Sequence, residues 1–202
     1  MSIYGLKPRF QALLRPSTGA LFRLGVTANQ VTLAACVVSV ALGALLTAMP
    51  ERPALFLLVP VWVFLRMALN AIDGMLAREF GQASALGAYL NELADAISDT
   101  ALYVPFALLP GSNPWLLGAV IVLAVISEMA GILGMTIGAG RRYDGPMGKS
   151  DRAFLFGVIG LLAGLSVPLV GALVWVWGGT AAFLVVTIVN RVRKGLAETA
   201  RQ

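Results

Sequence analysis

Histidine is absent from the 202 residues and cysteine occurs once, as Cys36. Without an imidazole there is no phosphohistidine intermediate, no histidine-ligated zinc and no serine–histidine dyad. A single thiol inside an apolar run makes neither a disulfide within the chain nor a thiolate metal cage. Charge is sparse as well: 12% of residues are Asp, Glu, Lys or Arg, and the acids are outnumbered 10 to 15. Internal repeats and low-complexity segments are also missing. What fills the chain is apolar. With 58% hydrophobic residues and a mean hydropathy of +0.84, a water-soluble globular domain is excluded and the bilayer is the solvent.

Apolar runs long enough to span occur at about residues 31–49, 54–77, 84–109, 114–139, 152–171 and 172–190. They predict an all-α, polytopic membrane protein with six transmembrane helices. Only Leu165, Ser166, Val167, Pro168 and Gly171 break the last two runs apart. Basic residues collect at Lys7, Arg9, Arg15 and Arg23, at Arg78, at Arg141, Arg142, Lys149 and Arg152, and at Arg191, Arg193, Lys194 and Arg201. The intervening connections near Met49–Pro53, Gly111–Pro114 and Pro168–Gly171 hold a single Arg. This asymmetry puts both termini in the cytoplasm, and the expected setting is a bacterial-type inner membrane. It also accounts for the net charge of +5, so the basic character points to an anionic lipid surface and away from nucleic acid. Residues 1–24 alternate basic residues with Leu6, Phe10, Leu13, Leu14, Leu21 and Phe22. That pattern suits an interfacial amphipathic helix, interrupted near Pro16, ahead of a membrane domain over 25–202.

Polar residues then stand out. The order Asn70-x2-Asp73-Gly74-x2-Ala77-Arg78-x8-Gly87-x3-Asn91-x3-Asp95 crosses two spanning runs. Measured from a turn near Gly81, Asp73 and Asn91 lie about 12–15 Å deep, and Asn70 and Asp95 about 16–21 Å, so the four groups meet at matched depths. Asn70, Asp73 and Ala77 share one helix face, as do Gly87, Asn91 and Asp95. Oxygen ligands converging between helices suit a hard cation such as Mg2+ together with a phosphate substrate. Gly74 and Gly87 leave room for a ligand or a close backbone, and Arg78 offers a fork of donors to a phosphate. The alternative is a helix–helix hydrogen-bonding network without catalysis. A charged group at this depth is expensive, which favours function.

This stretch resembles the signature of the CDP-alcohol phosphatidyltransferases, D-x2-D-G-x2-A-R-x8-G-x3-D-x3-D, with every spacing kept. Thr27-Ala28-Asn29-Gln30-Val31-Thr32 is similar to that family's entry segment. The resemblance implies a homodimer whose cytoplasm-facing cavity binds CDP-diacylglycerol or a related CDP-alcohol with divalent metal, Mg2+ or Mn2+. A small alcohol acceptor would attack the lipid-bearing phosphorus, and CMP would leave. By the same resemblance Asn70, Asp73, Asn91 and Asp95 would be the metal set, with Asp95 as general base. Asn29, Thr32, Gly74, Ala77, Arg78 and Gly87 would contact the nucleotide, and Lys149 and Arg152 the acceptor's phosphate or a lipid headgroup.

Two family aspartates are Asn here, at 70 and 91. Two divalent ions facing Asp73 and Asp95 alone would leave two excess positive charges, so one ion binds or other acids help. Glu92, Asp95 and Asp99 stand at i, i+3 and i+7 and offer a second carboxylate stripe. Arg66, one turn beyond Asn70, is at a depth similar to Asp99 and Glu128. It is expected to pair with one of them, to snorkel outward, or to join the substrate site. The Gly-rich connection from Gly138 to Arg152 suits an anionic group, or simply obeys the positive-inside rule. The leading expectation is phosphatidyl transfer in phospholipid synthesis. The alternative is a catalytically silent relative that binds nucleotide or lipid; a transporter would need broken, symmetry-related helices that are not evident.

Overall fold

The computed structural model describes residues 6–200, and side chains from Phe10 onward. Residues 1–5 of the expected interfacial segment, the side chains of Lys7 and Arg9, and Arg201 lie outside the described residues. Among the described residues there are helices and no strands. They are α1 (Leu6–Arg23), α2 (Ala28–Ala48), α3 (Leu58–Glu79), α4 (Ala85–Tyr103), α5 (Pro114–Thr136), α6 (Lys149–Gly164) and α7 (Ala172–Thr199), with 3-10 turns at Pro53–Leu57 and Val104–Leu108. α2, Pro53–Glu79, α5 and α7 are each long and apolar enough to cross a bilayer. α6, at 16 residues, rises only about 24 Å, short of a hydrocarbon core of about 30 Å. α4 carries Glu92, Asp95 and Asp99.

The chain divides into two units. The first takes in the chain up to Leu42 together with Val61–Ala101. Its α2 begins with a reciprocal cap. The Thr27 hydroxyl accepts from the Gln30 amide at 3.2 Å while the Gln30 side chain accepts from the Thr27 amide at 2.9 Å, which satisfies two otherwise orphaned donors. Gln82 accepts from the Ala28 amide at 2.7 Å and so fixes the start of α2 to the α3–α4 turn, where Gly81 adopts φ 70°. Ala28, Val31, Ile72 and Leu76 form the unit's core, flanked by Leu14, Leu21, Val26, Leu69, Ala77 and Phe80.

α1 is continuous through Pro16, where a break was expected. Contacts on both sides of the proline, to α3 and to Phe80 just beyond it, hold it. Phe10 meets Phe64 and Phe22 meets Phe80, Thr18 is fully buried beside Met75, and Arg15 donates twice to Glu79 at 3.0 and 3.1 Å. These contacts offset the amide hydrogen bond that proline removes.

The second unit takes in Gly43–Pro60 and the chain from Leu102 onward. Tyr103, Phe106, Phe156 and Trp177 pack ring on ring, with Phe56 edge-on to Phe106. Gly160 and Gly164 bring α6 against the Pro53–Leu57 turn and the start of α3. A Cβ on Gly164 would lie 2.6 Å from Leu57 Cγ, and one on Gly160 2.9 Å from Val59 Cβ. α6 stops at Gly164, short of the expected residue 171, because Ser166 turns left-handed at φ 58° and Pro168 follows. α7 instead continues to Thr199, past the expected 190. Leu173, Trp177, Thr180, Leu184, Thr187, Arg191 and Gly195 keep one inward face through its basic end.

Candidate active site

The motif residues of α2, α3 and α4 gather within the first unit. Asp73 is buried, and its Oδ2 accepts from the Thr32 hydroxyl at 2.8 Å. Asn70, one turn away on α3, donates to Asp95 Oδ1 on α4 at 3.4 Å. Asn70 therefore ties α3 to one of the two carboxylates that sequence spacing singled out, and Thr32 ties α2 to the other. Gly87 lets Asn29 approach α4: a Cβ there would lie 2.9 Å from Asn29 Oδ1 and 3.0 Å from Ser84 Oγ. Gly74 accommodates the Arg78 guanidinium, which would sit 2.7 Å from a Cβ at that position. Ala77 packs beside the core as a small spacer. Asn91 is half-buried on α4, one turn before Asp95.

Arg66 is the third element of the site. It is 6% exposed, which removes the snorkelling alternative. Its Nη1 donates to Asp99 Oδ1 at 2.5 Å, and its Nη2 to Asp95 Oδ1 at 3.1 Å and to the Asp95 carbonyl at 3.2 Å. The guanidinium thus bridges two successive turns of α4. Asp99, which the sequence offered both as part of a second carboxylate stripe with Glu92 and as a partner for Arg66, is the ion-pair partner of Arg66.

The donor set suits a divalent cation by its chemistry. Asp73 and Asp95 would supply two charged oxygen ligands and the amide oxygens of Asn70 and Asn91 two neutral ones, the hard donors that Mg2+ or Mn2+ takes. Among the described residues no three acidic, Cys or His side chains cluster into a cage.

Lys149 and Arg152 belong to the second unit. Lys149 is half-buried at the first turn of α6. Arg152 is 1% exposed and donates to Glu128 Oε1 at 2.8 Å, to the Met147 carbonyl at 3.2 Å and to Ser127 Oγ at 3.4 Å. Arg191 lies 3.4 Å from Glu128 Oε2 and donates to the Ser127 carbonyl, while Arg141 stands 4.0 Å from Oε2. Glu128 therefore serves these arginines of its own unit, where sequence depth had grouped it with Arg66. Arg191 was missed as an interior residue. The signal was present in its place on the inward stripe of α7, seven residues after Leu184 and four after Thr187.

Beside this cluster, Asp144 accepts from Arg142 at 2.9 and 3.0 Å and from Lys194 at 2.7 Å. Partial burial pushes its carboxyl up, but the hydrogen bonds and charges of Lys194 and Arg142 outweigh it, and the net shift is below the usual Asp value. Glu198 accepts from the Gly140 amide at 3.0 Å and pairs with Arg142. These contacts hold the Gly138–Gly148 connection onto the end of α7.

The profile for CDP-alcohol phosphatidyltransferase matches residues 25–191, and the chain belongs to that family, whose enzymes move a phosphatidyl group from CDP-diacylglycerol in phospholipid synthesis and depend on divalent metal. It is 46% identical over 200 residues to the inner membrane protein YnbA of Escherichia coli K12, covering 99% of both chains. It is 27% identical to phosphatidylinositol phosphate synthase of Corynebacterium glutamicum, covering 95% of this chain and 87% of that one. Among solved structures, phosphatidylinositol phosphate synthase (PgsA1) of Mycobacterium tuberculosis, crystallised with manganese and citrate, superposes with a TM-score of 0.70 at 24% identity, covering 90% of this chain and 88% of that one. That likeness establishes the fold.

Proposed function

We propose that this chain transfers a phosphatidyl group from CDP-diacylglycerol to an alcohol and releases CMP. The observation that carries the reading is the gathering of motif side chains in the first unit: Thr32 on Asp73, Asn70 on Asp95 and Asn29 against Gly87. Asp73 and Asp95, with the carbonyls of Asn70 and Asn91, would hold the divalent ion. When bound, that ion supplies positive charge against the diphosphate and the departing CMP oxygen. Asp95 takes the proton of the acceptor hydroxyl as its oxygen bonds to the lipid phosphorus and the bond to CMP breaks. Thr32 and Asn70 position the two carboxylates. Arg78 grips a phosphate through its fork of donors, and Asn29, Thr32, Gly74, Ala77 and Gly87 shape the nucleotide site.

Lys149 and Arg152 are proposed to serve an anionic group on the acceptor or a lipid headgroup. Three arginines around Glu128 leave that cluster with a positive surplus that favours anions. The membrane plan accompanying this reading has six spans, with α4 and α6 crossing in protein company, α1 at the interface, both termini cytoplasmic and two copies per assembly.

A catalytically silent relative is the second reading, supported by Asn at 70 and 91 and by the Arg66 contact to Asp95. Purified full-length protein, given labelled CDP-diacylglycerol with Mg2+ or Mn2+ and a panel of alcohols, separates the two. CMP release that disappears in Asp95→Asn supports catalysis. Nucleotide binding without turnover supports the silent relative.

A further inference from the structure

We propose that the Arg66 guanidinium is a resident cation of this site, standing where a second divalent ion would otherwise supply charge, so that the chain binds one divalent ion. The inference rests on the phosphatidyl-transfer reading above for the location of the site. Arg66 is buried, lies on the helix face of Asn70 and Asp73, and donates to both Asp95 and Asp99. A guanidinium aimed at two carboxylates one helical turn apart satisfies them with fixed donors, a task given to metal where only acids converge.

Charge counting points the same way. The family's four aspartates carry four negative charges, which two divalent ions balance. Of the same four positions here only Asp73 and Asp95 are charged, Asn70 and Asn91 carry none, and the charges of Arg66 and Asp99 beside them cancel. Two negative charges are left, which one divalent ion balances. In a site screened from water, each uncompensated charge is costly, so stoichiometry follows the balance. The two Asn substitutions and the buried Arg therefore belong together: each moves the site in the positive direction.

Mn2+ binding to the full-length protein in detergent, followed by the loss of the free-ion electron paramagnetic resonance signal, tests this without relying on turnover. The wild type is expected to bind one Mn2+ per chain. Arg66→Gln, which leaves three negative charges, is expected to bind the first ion about tenfold more tightly and to admit a second at high concentration. Arg66→Gln with Asp99→Asn, which returns the count to two, is expected to restore wild-type stoichiometry and affinity. Asn70→Asp with Asn91→Asp, keeping Arg66, is expected to bind two. Two ions on the wild type would overturn the inference whether or not Arg66→Gln folds. Identical Mn2+ binding by wild type, Arg66→Gln and the double variant would reduce Arg66 to a helix clip and overturn it too. CMP release measured on the same samples keeps the readings apart: an active enzyme with two ions defeats only the inference, and an inactive protein with one ion defeats only the transferase reading.

Discussion

Glu128→Gln removes the carboxylate between two arginines that are 1% and 2% exposed while keeping the size and one acceptor oxygen of the side chain. At separations of 2.8 and 3.4 Å, with an effective dielectric near 20, the pairs with Arg152 and Arg191 are attractive by about 6 and 5 kcal/mol before hydration is counted. The lost hydration of the guanidinium groups takes back much of this, and removing one partner of a buried pair typically costs about 3–5 kcal/mol. Because Gln still accepts one hydrogen bond, the lower end applies, about 3 kcal/mol. For a chain of this size that lowers the unfolding midpoint by about 6–12 °C. Thermal unfolding in detergent, followed by tryptophan fluorescence, measures it. Arg191→Met on the Glu128→Gln background is expected to lose less than the two single losses summed, because it removes one of the charges left without its counterion. A midpoint within about 2 °C of wild type for Glu128→Gln, or strict additivity in the cycle, would refute Glu128 as the counterion that holds these arginines inside.

Gly87→Ala places a methyl 2.9 Å from Asn29 Oδ1 and 3.0 Å from Ser84 Oγ. Both are ends of side chains that can swing aside, so the unfolding midpoint is expected to stay within a few degrees while KM for CDP-diacylglycerol rises about tenfold, some 1.4 kcal/mol of lost nucleotide contact; a fall in kcat at unchanged KM would contradict the assignment. Asp144 contributes through pH. Its carboxyl is held below the usual Asp value in the folded protein, so its stabilisation is fully present above the unfolded-state value of 3.8 and is lost as pH falls through the lower, folded value. Unfolding midpoints measured from neutral pH downward are expected to show an acid loss in the wild type that is reduced in Asp144→Asn.

α2, α3, α5 and α7 were legible because bilayer thickness imposes long apolar runs, and their approximate places follow from that alone. Their ends were less legible. α7 runs on to Thr199 because its inward stripe continues through Arg191 to Gly195, whereas a hydropathy reading stops at the first basic residues. Pro16 looked like a break, and only the contacts of Phe10 and Thr18 with α3 and of Phe22 with Phe80 explain why it is not one. At the site, helical rise matched the depths of Asn70 with Asp95 and of Arg66 with Asp99, and those pairs are in hydrogen-bonding contact. Depth did not decide between Asp99 and Glu128 as the partner of Arg66, because depth is one coordinate and partner choice also depends on rotation about each helix and on which helices are neighbours.

That ambiguity has a physical lesson for reading buried charge in membrane chains. An intramembrane acid needs a counter-charge, but the sequence does not say whether it comes from an arginine or from a metal ion. Asp95 and Asp99 face Arg66, and Glu128 faces Arg152 and Arg191. The same residue type therefore serves two purposes. Around Glu128 the arginines outnumber the carboxylate, a balance that would favour an anion. Around Arg66 the carboxylates outnumber the guanidinium, a balance that would favour a cation. A diphosphate bridged to a hard cation needs the second kind of site, which is why Asp73, Asp95 and Asn70 carry the functional reading while Glu128 carries a structural one.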